Sequence, residues 1–459
     1  MKKVLLSLSL LNLSVGAFAQ YSWTAQGTKF ATSYGVKEIS IADPNTVWIT
    51  AYDGSGGGTY PKVFSKTTNG GSTWTASSIP TSTIPAPALV SDLFALDGNT
   101  AWLATAYTGS GSAANTNAVY KTTNGGTSWT RLTTGYTNSS FPNVVYFWDA
   151  NEGFTAGDPV SSNFQILRTT NGGTSWTPVS GLPAPLSSTE YGLTGVKYVR
   201  GNSVWMGTTK GRLLRSSNRG VTWTANATPV LDFGSGDATA GVVGSSGKMA
   251  FKDANNGILI AVDNSTEAVM YSTTDAGATW NPVDATGTWF FGDIDYVPGT
   301  TNTYVTTGDN SDAAQGTGSS YSRDGGLTWT IIDNIAGAQG GQRGSVKFLN
   351  STTGWCGFFS DSPTGTAGIF KFTGDLNLAV NEASAKSGLK LYPNPAVDNV
   401  TLTSNKDIQS VTIYDLSGKK VKSFGNTKEL NVSNLSKGTY ILQAYYGNGL
   451  VENTKLIKK

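Results

Sequence analysis

The chain of 459 residues contains no histidine and a single cysteine, Cys356. Without imidazole it has no histidine metal ligands and no Ser-His-Asp or Cys-His catalytic group. A lone cysteine cannot form a disulfide within the chain, and in the segment GWCGF we expect it to be a small buried apolar residue rather than a reactive thiol. Beyond the N-terminal segment no apolar run approaches the roughly 20 residues of a membrane span. The sequence therefore predicts no membrane span.

The N-terminal segment, residues 1–19, has the pattern of a secretory signal peptide. Lys2 and Lys3 precede an apolar run, and the segment ends in Ala17-Phe18-Ala19. This order of charged, apolar and small residues predicts cleavage before Gln20 and export from the cytoplasm. No cysteine follows the cleavage point, which disfavours a lipoprotein anchor.

One eight-residue phrase with a fixed pattern occurs six times. Ser or Thr comes first, Asn or Asp third, Gly fifth, Ser or Thr seventh and Trp last. Asn, Asp, Ser and Thr side chains bond to nearby backbone N–H groups, and Gly accepts positive φ, so the phrase predicts a tight turn followed by a strand that starts with the Trp. The third and last positions are Asn69, Trp74, Asn124, Trp129, Asn171, Trp176, Asn218, Trp223, Asp275, Trp280, Asp324 and Trp329.

The phrase resembles the Asp box of the bacterial neuraminidase repeat (BNR) propellers, whose implied role is structural. Successive Trp residues of the phrase are 47 to 57 positions apart, near the period of a four-stranded propeller blade. A seventh unit after Ser345 lacks the phrase and a fourth strand. The segment YSWTAQGT at 21–28 is similar to the strand that follows the other boxes, and it would complete that unit. We therefore predict an all-β fold with a seven-bladed β-propeller over 20–376, rather than an open β-solenoid.

The region after a linker at 377–387 has a different pattern. Residues 388–459 alternate apolar and polar positions between Pro, Gly and Asn, which predicts a small C-terminal β-sandwich. Their motifs resemble the C-terminal sorting domain of type IX secretion cargo of Bacteroidetes, which implies the secretion machinery as a partner and a secreted or surface-attached protein. The residues that carry this resemblance are Tyr392, Pro393, Asn394, Pro395, Gly418, Gly438, Tyr440, Lys458 and Lys459.

Charge follows the same division of the chain. Residues 388–459 carry 10 basic and 5 acidic side chains, whereas residues 4–387 carry 20 and 25. A negatively charged propeller disfavours nucleic acid as a partner, because phosphates require basic patches.

Glycoside hydrolysis needs paired carboxylates. The candidates for such a pair are Asp158, Glu190, Asp293 and Asp309. The resemblance to sialidases is incomplete, since the Arg-Ile-Pro motif is absent, and the related xyloglucanases usually place their cleft between two propellers. Phrases such as NEGFTAGD at 151–158 resemble the non-catalytic photosystem II assembly factors more closely.

A ligand is expected on the face opposite the boxes. The boxes join the third and fourth strands of each blade and share a face, here called the box face, with the first-to-second turns. The other face, the loop-rich face, holds the second-to-third loops and the crossings between blades. Its acidic and aromatic residues suit a sugar, although the acids could equally cap turns. The candidates are Asp53, Asp158, Asp263, Asp309, Asp361, Tyr191, Trp289, Phe290 and Arg343.

No cofactor and no metal are predicted, although the oxygen-rich cluster from Asp309 to Asp312 could hold Ca²⁺. The sequence thus favours an exported propeller that binds glycan or a surface protein through its loop-rich face without catalysis of its own. Two alternatives stay open at this point: a hydrolase that acts on polysaccharide, and a structural component of a surface layer.

Overall fold

A computed structural model describes most of the chain in two compact units, which divide after Asn377. All regular secondary structure in the described ranges is β-strand. The side chains of residues 263, 309 and 451 are not part of the description. The described ranges are 21–55, 57–109, 116–136, 140–234, 246–263, 267–309, 316–333, 343–357, 368–377, 389–404, 406–415, 418–446 and 451–459.

The described part of the first unit forms seven sheets, and β1 (Ser22–Gly27) belongs to the last of them. Blade 1 comprises β2 (Tyr34–Ile41), β3 (Val47–Asp53), β4 (Val63–Thr67) and β5 (Thr75–Ser78). Blade 2 comprises β6 (Ala88–Ala95), β7 (Ala101–Tyr107), β8 (Ala118–Thr122) and β9 (Thr130–Arg131). Blade 3 comprises β10 (Pro142–Phe147), β11 (Gly153–Val160), β12 (Asn163–Thr169) and β13 (Thr177–Pro178).

The remaining blades repeat this antiparallel order. Blade 4 comprises β14 (Gly192–Arg200), β15 (Ser203–Thr208), β16 (Arg212–Ser216) and β17 (Thr224–Ala227). Blade 5 comprises β18 (Ser246–Phe251), β19 (Gly257–Asp263), β20 (Glu267–Thr273) and β21 (Asn281–Pro282). Blade 6 comprises β23 (Asp293–Tyr296), β24 (Tyr304–Asp309), β25 (Thr317–Ser322) and β26 (Thr328–Asp333), with β22 (Thr286–Gly287) running parallel to β26 at its edge.

Blade 7 combines the two ends of the propeller. Its chain-ordered strands are β27 (Val346–Asn350), β28 (Thr353–Gly357) and β29 (Gly368–Thr373). Strand β1 pairs antiparallel with β29, with Trp23 opposite Phe372 and Gly27 opposite Gly368. The N-terminal strand therefore completes the last blade, and the predicted seven-bladed fold is confirmed.

The repeated phrase forms the predicted turn between the third and fourth strands of blades 1 to 6. In the first copy the Thr67 hydroxyl accepts the Gly71 N–H at 2.9 Å, and the Asn69 side-chain oxygen accepts the Thr73 N–H at 2.9 Å. Gly70 and Gly71 have φ of 66° and 86°, which suits glycine. The first-position hydroxyl accepts the equivalent N–H in the other five copies as well.

Tryptophans on the second strands join neighbouring blades. Trp102 of β7 stacks on Phe147 of β10 with ring centroids 3.8 Å apart, and Trp205 of β15 stacks on Phe251 of β18 at the same spacing. Both tryptophans are fully buried. Aromatic burial of this kind is the main source of packing energy between blades.

The second unit is a small β-sandwich, as predicted. One sheet contains β30 (Lys390–Tyr392), β31 (Asn399–Thr403) and β34 (Glu429–Asn431). The other contains β32 (Ile408–Tyr414), β33 (Lys420–Phe424), β35 (Gly438–Tyr446) and β36 (Val451–Lys458). Alternate residues of both sheets, among them Val400, Ile413 and Leu442, form one buried core.

Candidate functional site

The first strands of the seven blades surround an axial cavity of about 540 Å³. Each first strand contacts the first strand of the next blade, and β27 contacts β2, so these strands form a closed ring. The cavity extends to Ile41, Arg200 and Pro298, at the strand ends that lead into the turns of the box face. Its charged lining residues are Lys37, Glu38, Lys197, Arg200, Lys248, Asp293, Asp295 and Lys347.

Strand β14 of blade 4 bulges into this ring. Its pairing with β15 is interrupted between Gly192 and Lys197. Gly195, within the interruption, has a φ of 72°, and a Cβ atom there would lie 1.9 Å from Glu38 Oε1. Glycine thus allows the backbone of blade 4 to approach the Glu38 carboxylate of blade 1.

Asp92 on β6 joins three blades through its carboxylate. Its Oδ2 accepts the Val145 N–H of blade 3 at 2.7 Å and lies 2.5 Å from Lys197 Nζ of blade 4. Its Oδ1 accepts the Leu93 N–H at 2.9 Å. Asp92 is fully buried, so the Lys197 ammonium and these donors replace its hydration.

Asp295 on β23 has a similar role on another side of the ring. Its Oδ2 accepts the Phe348 N–H of blade 7 at 2.7 Å, and its Oδ1 accepts the Tyr198 hydroxyl of blade 4 at 2.8 Å. Burial raises the pKa of this carboxyl, and the Lys347 ammonium partly opposes the rise. Burial alone would lower the pKa of Lys347, but Asp295 and Asp293 raise it, which keeps the ammonium charged.

Three charged side chains of the cavity are left without such partners. Among the described residues, no hydrogen bond or ion pair reaches the carboxylate of Glu38 or the ammonium groups of Lys248 and Lys347. Lys37, by contrast, donates to the Val90 carbonyl oxygen at 2.8 Å. The cavity therefore presents charged groups of both signs that lack a hydrogen-bond partner among the described residues, while Lys347 lies over the Tyr198 ring at 5.4 Å and feels the charges of Asp295 and Asp293.

The stability of the propeller should depend on pH through the ionisation of Glu38. Burial raises the pKa of its carboxyl to about 7, with a further rise from Asp92 and opposing effects of Lys197, Lys37 and Lys347. The unfolded chain has a Glu pKa of about 4.3. The folded state thus binds the proton more tightly, so this contribution favours folding at low pH and is lost as the pH rises through about 7.

The variant Glu38→Gln keeps the shape of the neutral carboxyl. In thermal melts across a pH series we expect it to match the parent in acid and to be the more stable of the two above pH about 7. Equal melting of parent and variant at alkaline pH would show that the carboxylate is not destabilised in the cavity.

Glu190, a candidate for catalysis, lies in a buried ion pair with Arg212. Its Oε1 accepts Arg212 Nε at 2.8 Å, and its Oε2 accepts an Arg212 terminal nitrogen at 2.7 Å and the Leu186 N–H at 2.6 Å. Burial opposes ionisation, but the Arg212 hydrogen bonds outweigh it and hold the pKa of Glu190 below its usual value. A buried carboxylate with these partners has the geometry of a structural clamp between the crossing before blade 4 and β16.

Two ligand candidates, Phe290 and Arg343, are buried, and the catalytic candidate Asp293 lies in the axial cavity. Phe290 and Arg343 are only 4% and 2% exposed. Arg343 pairs with Asp333 at 2.7 Å and lies over the Phe370 ring. Asp293 lines the axial cavity and accepts the Val346 N–H at 2.9 Å.

The other predicted residues of the loop-rich face are spread over several blades. Asp53 accepts the Ser55 N–H at 2.9 Å, and hydrogen bonds from Ser55 and Thr59 lower the pKa of Asp53 to about 2, as in a turn cap. Burial raises the pKa of Asp158 to about 6, although Asn143 donates to it at 2.7 Å. Tyr191 is exposed and Trp289 is half-buried. Asp361 and the side chains of Asp263 and Asp309 lie outside the described residues.

Exposed apolar residues gather around one loop of this face, the β15–β16 turn of blade 4. Leu186 and Tyr191 belong to the crossing before blade 4, and Leu231 belongs to the crossing after it. Thr209 of the turn donates its N–H to the Tyr191 carbonyl oxygen at 3.1 Å. The Glu190–Arg212 clamp lies beneath them. We call these three apolar residues the blade 4 patch.

Within the described ranges, no group of three acidic or cysteine residues converges as a metal site would require. The possible Ca²⁺ cluster at Asp309 to Asp312 lies outside the described side chains. No helix that could cross a lipid bilayer occurs in the part of the chain that the structure describes.

Comparison with known proteins identifies the C-terminal unit. Residues 390–459 match the family described as "Secretion system C-terminal sorting domain". A search of curated proteins found no match to the chain. The sorting domain marks the chain for type IX export, so the protein is secreted or attached to the cell surface, and its partners include the secretion machinery.

Solved structures identify the class of the first unit. YCF48 from Cyanidioschyzon merolae is similar with a TM-score of 0.52 and 18% identity, over 77% of this chain and 99% of that one. A structure described as "YCF48 bound to D1 peptide" has a TM-score of 0.50 and 13% identity, over 78% of this chain and 98% of that one. The Niastella koreensis GH74 enzyme has a TM-score of 0.45 and 13% identity, over 92% of this chain and 76% of that one. At these identities the similarity shows the fold, and the protein is an exported β-propeller.

Proposed function

We propose that this protein is an exported binding protein, without catalysis of its own, that takes a charged peptide segment of a partner protein into the axial cavity. The observation that carries the proposal is the set of charged groups without a hydrogen-bond partner among the described residues, Glu38, Lys248 and Lys347, around a cavity of about 540 Å³. That volume lies in the range of about 300–1,000 Å³ that is usual for ligand pockets.

The chemistry of these groups supports a charged ligand. A charged group in a cavity whose hydrogen-bonding capacity is not satisfied by the protein can be stabilised further by the complementary charge of a ligand. Lys347 and Lys248 suit carboxylates, while Glu38 suits an ammonium or guanidinium group. A peptide that carries both acidic and basic groups supplies both kinds of partner.

A peptide fits these groups better than a neutral glycan. Glycan sites rely on exposed aromatic faces and on carboxylates that accept hydroxyl bonds, yet Phe290 is buried and Glu190 is bound to Arg212. A propeller of similar fold has been solved with a bound peptide, as the description "YCF48 bound to D1 peptide" states.

The state of the candidate carboxylates supports binding without hydrolysis. Glycoside hydrolysis requires two carboxyl groups that are both free to act on one bond. Glu190 is occupied by Arg212, and Asp293 accepts the Val346 N–H. Burial raises the pKa of Asp158 to about 6, but neither Glu190 nor Asp293 is then free to act with it as the second carboxylate of a hydrolytic pair.

The test compares Lys347→Met and Glu38→Gln in the full chain with the matched control Lys62→Met, which changes a lysine outside the axial cavity. The proteins are probed with a synthetic library of short peptides that carry acidic and basic residues, and in parallel with a glycan array. We expect saturable peptide binding that each cavity variant weakens roughly 10-fold or more, because a hydrogen bond to a charged group contributes about 1.5–3 kcal/mol. The control should bind as the parent does.

A second candidate surface, for a glycan or a folded protein, is the blade 4 patch on the loop-rich face. It is favoured by the exposure of Leu186, Tyr191 and Leu231 above a rigid clamp. The same experiment separates the two sites. Binding that survives Lys347→Met and is lost in Tyr191→Ala would assign recognition to the patch and overturn the axial proposal, as would glycan binding without peptide binding.

A further inference from the structure

The segment Tyr392 to Pro395 of the sorting domain is fastened to the last strand, β36. The Asn394 side chain donates to the Lys455 carbonyl oxygen at 2.7 Å and accepts the Ile457 N–H at 2.8 Å. One carboxamide thus makes the pair of hydrogen bonds that a neighbouring strand would make. These two hydrogen bonds within the domain explain why an asparagine stands at this position. Residues other than Asn394 are therefore the candidates for contact with a partner.

The chain end is fastened to the same segment. The Ala396 N–H donates to the Ile457 carbonyl oxygen at 2.8 Å, and the Lys459 N–H donates to the Ala396 carbonyl oxygen at 2.9 Å. Ala396 is fully buried. Two parts of the sorting motif that are distant in sequence are therefore joined in one rigid seam.

Apolar side chains project from the chain on both sides of this seam. Tyr392 is 78% exposed, more than any other large hydrophobic residue in the described ranges, and Val397 is 55% exposed. Leu391, the neighbour of Tyr392 on β30, packs against the core, so the outward direction of Tyr392 follows from strand alternation. A tyrosine held at a fixed, exposed position costs little further entropy when a partner covers it.

The charge beside the seam is positive. Lys455, whose carbonyl oxygen binds Asn394, has an exposed side chain on β36, and Lys390 is exposed on β30. No ion pair to either lysine forms among the described residues. Exposed apolar side chains at both ends of this segment, with lysines that form no ion pair nearby, complement a surface with an apolar pocket and an acidic rim.

We infer that Tyr392 and Val397, bordered by Lys455, form the surface through which the sorting domain docks on the export machinery, and that the docking partner presents an apolar pocket with acidic surroundings. The choice of occupant rests on the match of residues 390–459 to a secretion sorting domain. The inference does not depend on what the propeller binds. Asn394 and the chain end hold this surface in shape.

The experiment measures export of the full chain in a bacterium that has a type IX secretion system. Tyr392→Ser and Lys455→Glu are compared with Val421→Ser, which removes a similarly apolar, exposed side chain from β33 in the other sheet. The exported and retained fractions are quantified by immunoblot. Protease resistance of the retained protein reports folding, since neither Tyr392 nor Lys455 contributes its side chain to the core.

We expect Tyr392→Ser and Lys455→Glu each to reduce the exported fraction roughly 10-fold or more, as for the central residues of an interface, with a retained protein that resists protease. Val421→Ser should be exported as the parent is. Export of Tyr392→Ser at the parental level would overturn the inference. So would an equal loss in Val421→Ser, or a loss in Tyr392→Ser that is accompanied by protease sensitivity.

Discussion

Replacement of Asp92 by alanine is expected to lower the free energy of unfolding of the propeller by about 3–5 kcal/mol. The carboxylate is fully buried and receives the Val145 N–H at 2.7 Å as well as the Lys197 ammonium at 2.5 Å. Alanine would leave a largely buried ammonium without its counter-charge, and the backbone donor without its acceptor. Denaturant unfolding of parent and variant, followed by tryptophan fluorescence, measures the loss.

The matched control removes both charges together. In the double variant Asp92→Leu, Lys197→Met neither member of this ion pair is left as a buried charge without its partner, so most of the stability should return even though the ion pair is gone. If the double variant unfolds as easily as Asp92→Ala, the cost would lie in the lost bond to Val145 rather than in the unpaired ammonium. An Asp92→Ala protein as stable as the parent would contradict the three-blade junction altogether.

Replacement of Trp129 by alanine should cost about 3–5 kcal/mol, the usual range for a buried aromatic residue. This box tryptophan of blade 2 lies edge-on to Trp48 and Phe64 of blade 1, at centroid distances of 6.3 and 5.8 Å. Its loss would therefore open a cavity between two blades. Thermal melting with calorimetry measures the change, and binding by any variant that remains folded should be unaltered.

Two other variants sharpen this prediction. Trp129→Phe keeps an aromatic ring and sacrifices no hydrogen bond, because the indole N–H is buried without a partner among the described residues, so it should cost clearly less than alanine. Trp176→Ala should also cost less, since Trp176 is only half-buried. Equal losses in Trp129→Ala and Trp129→Phe would show that packing of the ring is not what the box contributes.

The propeller could be predicted from sequence because its information is local. The eight-residue phrase contains the turn, the glycine with positive φ and the buried indole within one short segment, and the phrase recurs at blade spacing. The strand at Ser22–Gly27 was predictable for a related reason, since its sequence is similar to the strands that follow the boxes. Each of these signals depends on residues that are neighbours in the chain.

The axial site was not predictable in the same way, because its partners come from different blades. Asp92 and Lys197 are 105 positions apart, and the pairing of Tyr198 with Asp295 spans 97. A weak signal is nevertheless present. Lys197 and Lys347 each lie between two apolar residues on the first strand of a blade, and Lys37 and Lys248 each lie beside one. Because side chains alternate along a strand, such a lysine points away from the core, and on an inner strand this direction reaches solvent only if a channel runs along the axis.

On the loop-rich face, residue type is a poor guide to the exposure of a side chain. Glu190 and Arg343 are polar and lie near loops, yet each is buried by a partner of opposite charge, Arg212 and Asp333 respectively. Phe290 fills space against Gly308 and Gly316 instead of covering a ligand. Sequence alone does not reveal which charges find partners across a loop.

The pairing of β1 with β29 determines when, during synthesis of the chain, the ring of blades can close. Thr24 and Thr373 are hydrogen-bonded across blade 7 although 349 positions separate them in the chain. Blades 1 to 6 consist of contacts between near neighbours and can form as the chain is synthesised, whereas so distant a contact is slow to form. Since Thr373 precedes the sorting domain by fewer than about 20 residues, the strand that closes the ring is synthesised only shortly before the sorting domain. A chain that terminates before β29 therefore lacks both the closed ring and the sorting domain.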